Sequence, residues 1–227
     1  YDANGGQTRR SSFGGNVAGG IGGGAIHSST NGFHPLVSNR YLENEAASGA
    51  GLTIHEDELK RNVVTNVDIV GNSGGGIAFV ESPSAKIENS IVAFNSGIGI
   101  SADETSASPF LKLKYNNVHA NDAAYSENVG EITGVDGNIN ADPLFVRFAV
   151  DGDPISDFLY LQEESPSVDA GRPEPAYIDT DGSPSDMGSY GGLDAESRDS
   201  TCLEECSTEA ACAACRYDED GDGFDPA

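Results

Sequence analysis

Two histidines and one aspartate occupy equivalent positions in copies of a short glycine-led motif. They are His27, His55 and Asp103, each the fifth residue of its copy. The position that follows holds Ser28, Glu56, Glu81 and Glu104. If the copies stack as neighbouring strands about 4.8 Å apart, the imidazoles would border a ridge of carboxylates, which repel one another unless a cation or proton intervenes. Such a set could bind calcium and remove a proton next to the carboxylate of a uronic acid.

A second group of acids, near the end of the sequence, has the spacing of a calcium loop. Three aspartates alternate with other residues, Gly223 permits a sharp turn, and a fourth aspartate follows; they are Asp218, Asp220, Asp222 and Asp225. Acids at positions 1, 3 and 5 before a glycine resemble the calcium loops of EF-hand and thrombospondin-type repeats. Position 9 is Pro226 and no position 12 follows, so we expect weak calcium binding. The alternative is a disordered acidic terminus.

A third acidic group precedes a glycine-rich stretch. It comprises Asp179, Asp181 and Asp186. Two interpretations stay open: a further cation site, or a hydrogen-bonded turn in which the carboxylates cap backbone N–H groups.

All four cysteines fall in one short segment. They are Cys202, Cys206, Cys212 and Cys215. In an exported protein this clustering predicts two disulfides, for which three pairings are possible. A four-thiolate zinc site is the alternative, and it would require a reducing compartment.

An asparagine recurs along the first half of the chain. The copies Asn16, Asn44, Asn72, Asn95 and Asn121 are 28, 28, 23 and 26 residues apart, and most precede a glycine-rich run ending in Ile or Leu. A repeat of this length with short β-type segments predicts a solenoid. We interpret the asparagines as a stacked amide column at one bend, where Asn tolerates left-handed backbone.

Aligning the glycine-led copies predicts which side chains face inward. The alternation places Ile26, Ile54, Phe79 and Ala102 in one internal stack, beside Leu52, Ile77 and Ile100. Further strands are expected over residues 62–70, 85–94 and 110–118. Three short strands per turn predict an all-β fold, a parallel β-helix over residues 1–192, followed by a Cys-rich acidic tail over residues 193–227.

Composition limits the possible partners. The 227 residues carry a formal net charge of −25, which disfavours nucleic acid as a partner. The sequence contains no run of 18 apolar residues, so it predicts no membrane-spanning helix. Because the sequence starts at Tyr1 without a leader, we expect a mature secreted product or a segment of a larger parent chain.

The closing part of the sequence resembles a known family. Residues 138–145 read NINADPLF, residues 165–171 read SPSVDAG and residues 186–192 read DMGSYGG. With the asparagine and glycine repeats, this order is similar to secreted bacterial right-handed parallel β-helix repeat proteins of the pectate-lyase-like superfold. The resemblance covers residues 12–192. It implies the fold and bacterial export, but that superfold includes lyases, hydrolases, adhesins and inert spacers.

The function expected from these observations is a structural or adhesive module at the cell surface, stabilised by calcium. Lyases of that superfold use an arginine or lysine near bound calcium, and here the candidates share no column with the acids; they are Arg40, Lys60, Arg61 and Lys86. A polysaccharide lyase or hydrolase using His27, His55 and Asp103 is therefore the alternative. The partners expected are a surface glycan or a second copy, since the first turn needs a cover and end-to-end assembly would supply one.

Overall fold

Three parallel sheets wind into a solenoid. The computed structural model describes residues 8–28, 35–55, 62–81, 85–104, 106, 111–193 and 195. Sheet A stacks β1 (Thr8–Arg9), β4 (Leu36–Val37), β7 (Asn62–Thr65), β10 (Ala85–Glu88) and β13 (Lys112–Lys114). Sheet B stacks β2 (Ser12–Gly14), β5 (Arg40–Leu42), β8 (Asp68–Val70), β11 (Ile91–Ala93) and β14 (Asn117–His119). Sheet C stacks β3 (Ala25–Ser28), β6 (Leu52–His55), β9 (Ile77–Val80), β12 (Ile98–Ala102) and β15 (Ala123–Tyr125). The predicted parallel β-helix is confirmed.

The stretches in which further strands were expected each contain two short strands. A bend separates sheet A from sheet B in every turn, and its residue has a left-handed backbone: Asn66, Asn89 and Tyr115 have φ of +51°, +52° and +54°. Residues 62–70, 85–94 and 110–118, where further strands were expected, therefore each hold one strand of sheet A and one strand of sheet B. The expectation that the stacked asparagines themselves are left-handed is wrong, because at their bend the left-handed residue is the one immediately before each asparagine: Gly15, Glu43, Gly71, Phe94 and Ala120.

The predicted asparagine column is confirmed as a continuous hydrogen-bonded ladder. In each step, one amide oxygen accepts both the backbone N–H and the side-chain N–H of the preceding asparagine, as from Asn44 to Asn72 Oδ1 at 2.9 Å and 2.9 Å. The same pattern joins Asn16 to Asn44, Asn72 to Asn95, and Asn95 to Asn121. The amide oxygens of the ladder thus accept backbone N–H groups at a bend that lies outside the three sheets.

A second ladder lies at the left-handed bend and was not predicted. Asn116 Oδ1 accepts the Ser90 N–H at 3.1 Å, and Asn138 Oδ1 accepts the Asn116 N–H at 3.1 Å. Farther along, the Ser90 hydroxyl accepts the Val67 N–H, and Asn39 Oδ1 accepts the Ser11 N–H. Since Asn39, Val67 and Ser90 occupy equivalent positions in successive turns, no single residue type marks this column in the sequence.

The interior stack differs from the prediction in its first turn. Ile54 pairs with Phe79 and Phe79 with Ala102, as expected. In β3, however, His27 pairs with Ile54, whereas Ile26 pairs with Thr53. The predicted stack of Ile26 on Ile54 is wrong by one residue, because the run Gly22–Gly24 permits two alignments and Gly24, not Gly23, lies against Gly51.

A closing segment, residues 142–193, covers the outer face of sheet B. Within it β16 (Phe145–Arg147) and β17 (Phe158–Leu161) form an antiparallel hairpin, with a 3₁₀ turn at Pro154–Ser156 between them. This segment packs on the outward side chains of sheet B and forms a second apolar core containing Leu42, Val70, Ile91, Ala93, Phe145, Leu159, Leu161 and Met187. Within the described residues, no helix is long and apolar enough to cross a membrane.

Candidate functional site

The residues of the catalytic alternative come from strands of sheet C or from the position just after one, and only two of them share a row. In backbone register His55 is the neighbour of Ser28 and of Val80, so His27 lies outside the row that was predicted for it. Asp103 continues the row beyond Val80, since its N–H donates to Phe79 O at 3.1 Å. The predicted pairing of His27 with His55 is therefore wrong by the same one-residue shift.

The Asp103 carboxylate caps backbone groups. Oδ2 accepts the Glu81 N–H at 2.9 Å and Oδ1 accepts the Ser106 N–H at 2.7 Å. His55 Nε2 lies 3.2 Å from Glu81 Oε2. Across the described ranges, no three His, Cys, Asp or Glu side chains are grouped closely enough to hold a metal ion. In this arrangement the Asp103 carboxylate caps backbone N–H groups of the turns after β9 and β12.

The third acidic group likewise caps a turn. Asp179 Oδ2 accepts the Asp186 N–H at 3.0 Å, and its Oδ1 accepts the Gly192 N–H. Asp181 Oδ1 accepts the Ser183 N–H at 2.9 Å, and Asp186 Oδ1 accepts the Asp169 N–H at 2.8 Å. Burial raises the pKa of the Asp179 carboxyl above its ordinary value. Of the two interpretations left open, these contacts match the hydrogen-bonded turn. The tail aspartates Asp218, Asp220, Asp222 and Asp225 and the four cysteines lie outside the described residues.

Acidic and basic side chains converge at a different place, the outer face of sheet A. Glu88 is buried, with its side chain 1% exposed, and both carboxylate oxygens have cationic partners. Lys86 Nζ lies 2.5 Å from Oε2, and an Arg172 nitrogen lies 2.6 Å from Oε1. The Tyr177 hydroxyl donates to Oε2 at 3.0 Å and lies 3.3 Å from Lys86 Nζ. We call these four residues the Glu88 cluster.

The Glu88 cluster is assembled by two distant parts of the chain. Lys86 and Glu88 alternate on β10 and therefore share its outer face, since the intervening Ile87 is buried in the core. Arg172 and Tyr177 come from the closing segment, and the guanidinium lies over the tyrosine ring at 4.8 Å. A buried carboxylate needs such compensation, because an uncompensated buried charge costs several kcal/mol, on the order of 3–5.

The same face carries further cations. Lys112 pairs in register with Lys86, and Lys114 with Glu88, so both lysines of β13 continue the rows of the Glu88 cluster. At the other end of the sheet, Arg9 lies in the row of Glu88 through Val37 and Thr65. Lys114 Nζ is 3.4 Å from Asp136 Oδ1. Most lysines and arginines of the described ranges thus collect on or against one sheet. We call Arg9, Lys86, Lys112, Lys114 and Arg172 the basic strip.

Comparison with known proteins agrees with this architecture. The family model described as "Right handed beta helix region" matches residues 4–139, more than half of the sequence. The chain belongs to the right-handed β-helix family. No curated protein and no solved structure matches it. Since the match ends before the closing segment of this right-handed β-helix, Arg172 and Tyr177 lie outside the part shared with the family.

The right-handed β-helix fold is compatible with a structural or a carbohydrate-active module. Sequence reasoning missed the basic strip and the Glu88 cluster in this β-helix, although one signal was available. Lys86-x-Glu88 and Lys112-x-Lys114 both alternate on strands that the repeat places one turn apart. The contacts between Glu88 and Arg172 could not be predicted in this way, because Arg172 is 84 residues away and does not belong to a repeat.

Proposed function

We propose that this right-handed β-helix is a secreted or cell-surface module with a structural and adhesive role, and that it contacts an acidic glycan along the outer face of sheet A. The observation that carries the proposal is the basic strip. The chain has a formal net charge of −25 and contains few lysines and arginines. Most of those that the structure describes lie on or against this face. Sheet B is not available in the same way, because the closing segment covers it.

The spacing of the basic strip suits a polymer with regularly placed anionic groups. Lys86 and Lys112 lie on adjacent strands, hence about 4.8 Å apart along the solenoid axis, and Lys112 and Lys114 are about 6.6 Å apart along β13. Because the Debye length is about 8–10 Å at physiological salt, the acids of more distant faces would repel the glycan only weakly there.

Several contacts favour adhesion over turnover. Both oxygens of Glu88 already accept from cations, and both oxygens of Asp103 already accept backbone N–H groups. A general base must reach the proton that it removes, and carboxylates held in this way are engaged in holding the fold. His27 and His55, the other candidates, lie in different rows.

A polysaccharide lyase is the second candidate, and the Glu88 cluster is the observation that favours it. The Tyr177 hydroxyl lies beside both Lys86 and Arg172, at 3.3 Å and 3.2 Å. A hydroxyl between two cations has the surroundings of a proton-transfer group for a bound uronic acid. Any unsaturated product formed from such a glycan, and abolished in Tyr177→Phe, would decide for this candidate.

Reversing the charge of β13 should weaken glycan binding. For Lys112→Glu combined with Lys114→Glu, we expect affinity for polygalacturonate or alginate to fall about tenfold or more, since two attractions become repulsions. Affinity electrophoresis at moderate salt measures this, with dextran as a neutral control polymer. Lys112→Arg combined with Lys114→Arg keeps the charges and should bind like the unaltered chain. Equal binding by the reversed and unaltered proteins would refute the proposal.

Calcium binding by the tail is also proposed. Asp218, Asp220, Asp222 and Asp225 would supply hard oxygen ligands, and binding would stabilise the tail by mass action. Because the loop lacks its later acidic ligand, we expect a dissociation constant of about 10⁻⁴ to 10⁻³ M. Calorimetry should detect this uptake in the intact chain and lose it in a chain ending at Arg216. Equal uptake by both would place any calcium elsewhere.

A further inference from the structure

We propose that the closing segment is a pH-dependent latch on the outer face of sheet B, which closes most tightly in mildly acidic solution. The latch does not depend on the glycan proposal, because it concerns sheet B, the sheet that follows sheet A in each turn. Its pH dependence rests on carboxyl groups that the latch buries without the partners that a carboxylate needs.

Asp68 is the first of these groups. It lies on β8 between Arg40 and Ile91 in register and is 1% exposed beneath Gly188 and Ser189 of the latch. Its Oδ2 accepts the Ser189 N–H at 3.0 Å. Oδ1 is buried, and within the described residues no donor meets it at hydrogen-bonding geometry, although the Ser189 hydroxyl lies beside the carboxyl group. A proton on Asp68 would remove the buried charge.

The charge that faces Asp68 compensates it only in part. Arg40, its neighbour on β5, is the cation that lowers the pKa of Asp68, and its guanidinium also donates to the Tyr190 hydroxyl of the latch. The Tyr190 ring stacks on Tyr160, with centroids 4.0 Å apart. Arg40 is therefore shared between Asp68 and the aromatic pair of the latch.

A pair of acids, Glu43 and Asp157, forms the second position. Glu43 follows β5 and its Oε1 accepts the Asp151 N–H at 2.8 Å, while Asp157 Oδ1 accepts the Ala149 N–H at 3.2 Å. The other oxygen of each carboxyl is buried and meets no donor among the described residues. The Asp151 charge adds repulsion, and Arg147, which donates to the Ser156 carbonyl, offsets part of it.

The direction of the pH effect follows from these surroundings. Burial raises the pKa of Asp68 from 3.8 to about 6. Burial, with the charges of Glu43 and Asp151, raises the pKa of Asp157 to about 6 as well. With the latch open, both carboxyls would return to their ordinary values, so closing takes up protons between about pH 4 and pH 6. Protonation therefore stabilises the closed latch fully below the pKa that these carboxyls have in the open state. This stabilisation is lost as the pH rises through the pKa that they have in the closed state.

The apolar contacts decide how far the latch opens. Leu42, Val70 and Ile91 of sheet B stay packed against the hairpin whatever the charge on Asp68, because their burial does not titrate. Raising the pH therefore changes the frequency of opening rather than detaching the segment.

Hydrogen exchange measured by mass spectrometry tests the latch. Between pH 5 and pH 7.5, protection of peptides from residues 145–161, corrected for intrinsic exchange, should fall about thirtyfold relative to peptides from β9 and β12 of sheet C: about tenfold from Asp68 and, after allowance for its partial exposure, about threefold from Asp157. Asp68→Asn should therefore leave a fall of about threefold. Asp157→Asn, at a half-buried position, should leave a fall of about tenfold. Asp153→Asn, an exposed acid of the same segment, should leave the fall of the unaltered chain unchanged. Protection that rises with pH, or an unchanged fall in both Asn variants, would overturn the proposal.

Discussion

Replacing Asn72 with alanine should lower the free energy of unfolding by about 3–5 kcal/mol, a large share of the 5–15 kcal/mol usual for a domain. The Asn72 amide oxygen accepts two N–H groups from Asn44, and its nitrogen donates to Tyr41 O and to Asn95 Oδ1. All four residues involved, Tyr41 and the three asparagines, are buried. Alanine leaves several of these groups in the interior without partners, each costing about 1–3 kcal/mol.

The end of the ladder supplies the matched control. Asn16 is exposed, and its side chain makes one ladder bond, to Asn44 Oδ1 at 2.8 Å. Since Asn44 Oδ1 also accepts the Asn16 backbone N–H, Asn16→Ala should cost only about 0.5–1.5 kcal/mol. Urea unfolding followed by far-ultraviolet circular dichroism measures both variants. Similar losses for the two would contradict the assignment of the ladder as a main support of the turns.

Glu88→Ala should be the second most damaging change. It leaves Lys86 and Arg172 facing each other and the Tyr177 hydroxyl without its acceptor. Breaking a fully buried pair costs about 3–5 kcal/mol, but the two cations keep 27% and 25% exposure, so we expect about 2–3 kcal/mol. Thermal unfolding at constant pH gives the difference.

Two further variants separate charge compensation from simple packing. Glu174 also accepts from Arg172, at 2.7 Å, but it is exposed, so Glu174→Ala should change stability little. Adding Lys86→Met and Arg172→Met to Glu88→Ala should recover part of the loss, because the uncompensated cations are then gone. No recovery in the triple variant would mean that packing, rather than charge, holds this part of the closing segment.

The parts of the fold predictable from sequence are those that repeat. The asparagine ladder and the pairing of Ile54 with Phe79 could be found because the same residue types recur at nearly constant spacing. The first turn was misaligned because Gly22, Gly23 and Gly24 offer equivalent starting points. The bend between sheets A and B was missed because left-handed backbone there falls on residues other than glycine, such as Tyr115.

The candidate site was less predictable because its parts do not repeat. His55 and Asp103 drew attention as a column, and the structure gives Asp103 a capping role. The Glu88 cluster and the buried Asp68 both depend on the closing segment, which contacts them from 84 and 121 residues away. Alternation on a strand shows that Glu88 points outward, but only tertiary contacts show what covers it.

Hydrogen exchange with and without an acidic oligosaccharide tests the central claim, that the outer face of sheet A is the glycan contact. The account predicts slower exchange in peptides containing β10, β13 and residues 172–177 when oligogalacturonate is added, with β6 and β12 of sheet C unchanged. Protection confined to the row of His55 and Asp103 on sheet C, or no protection at saturating oligosaccharide, would contradict it.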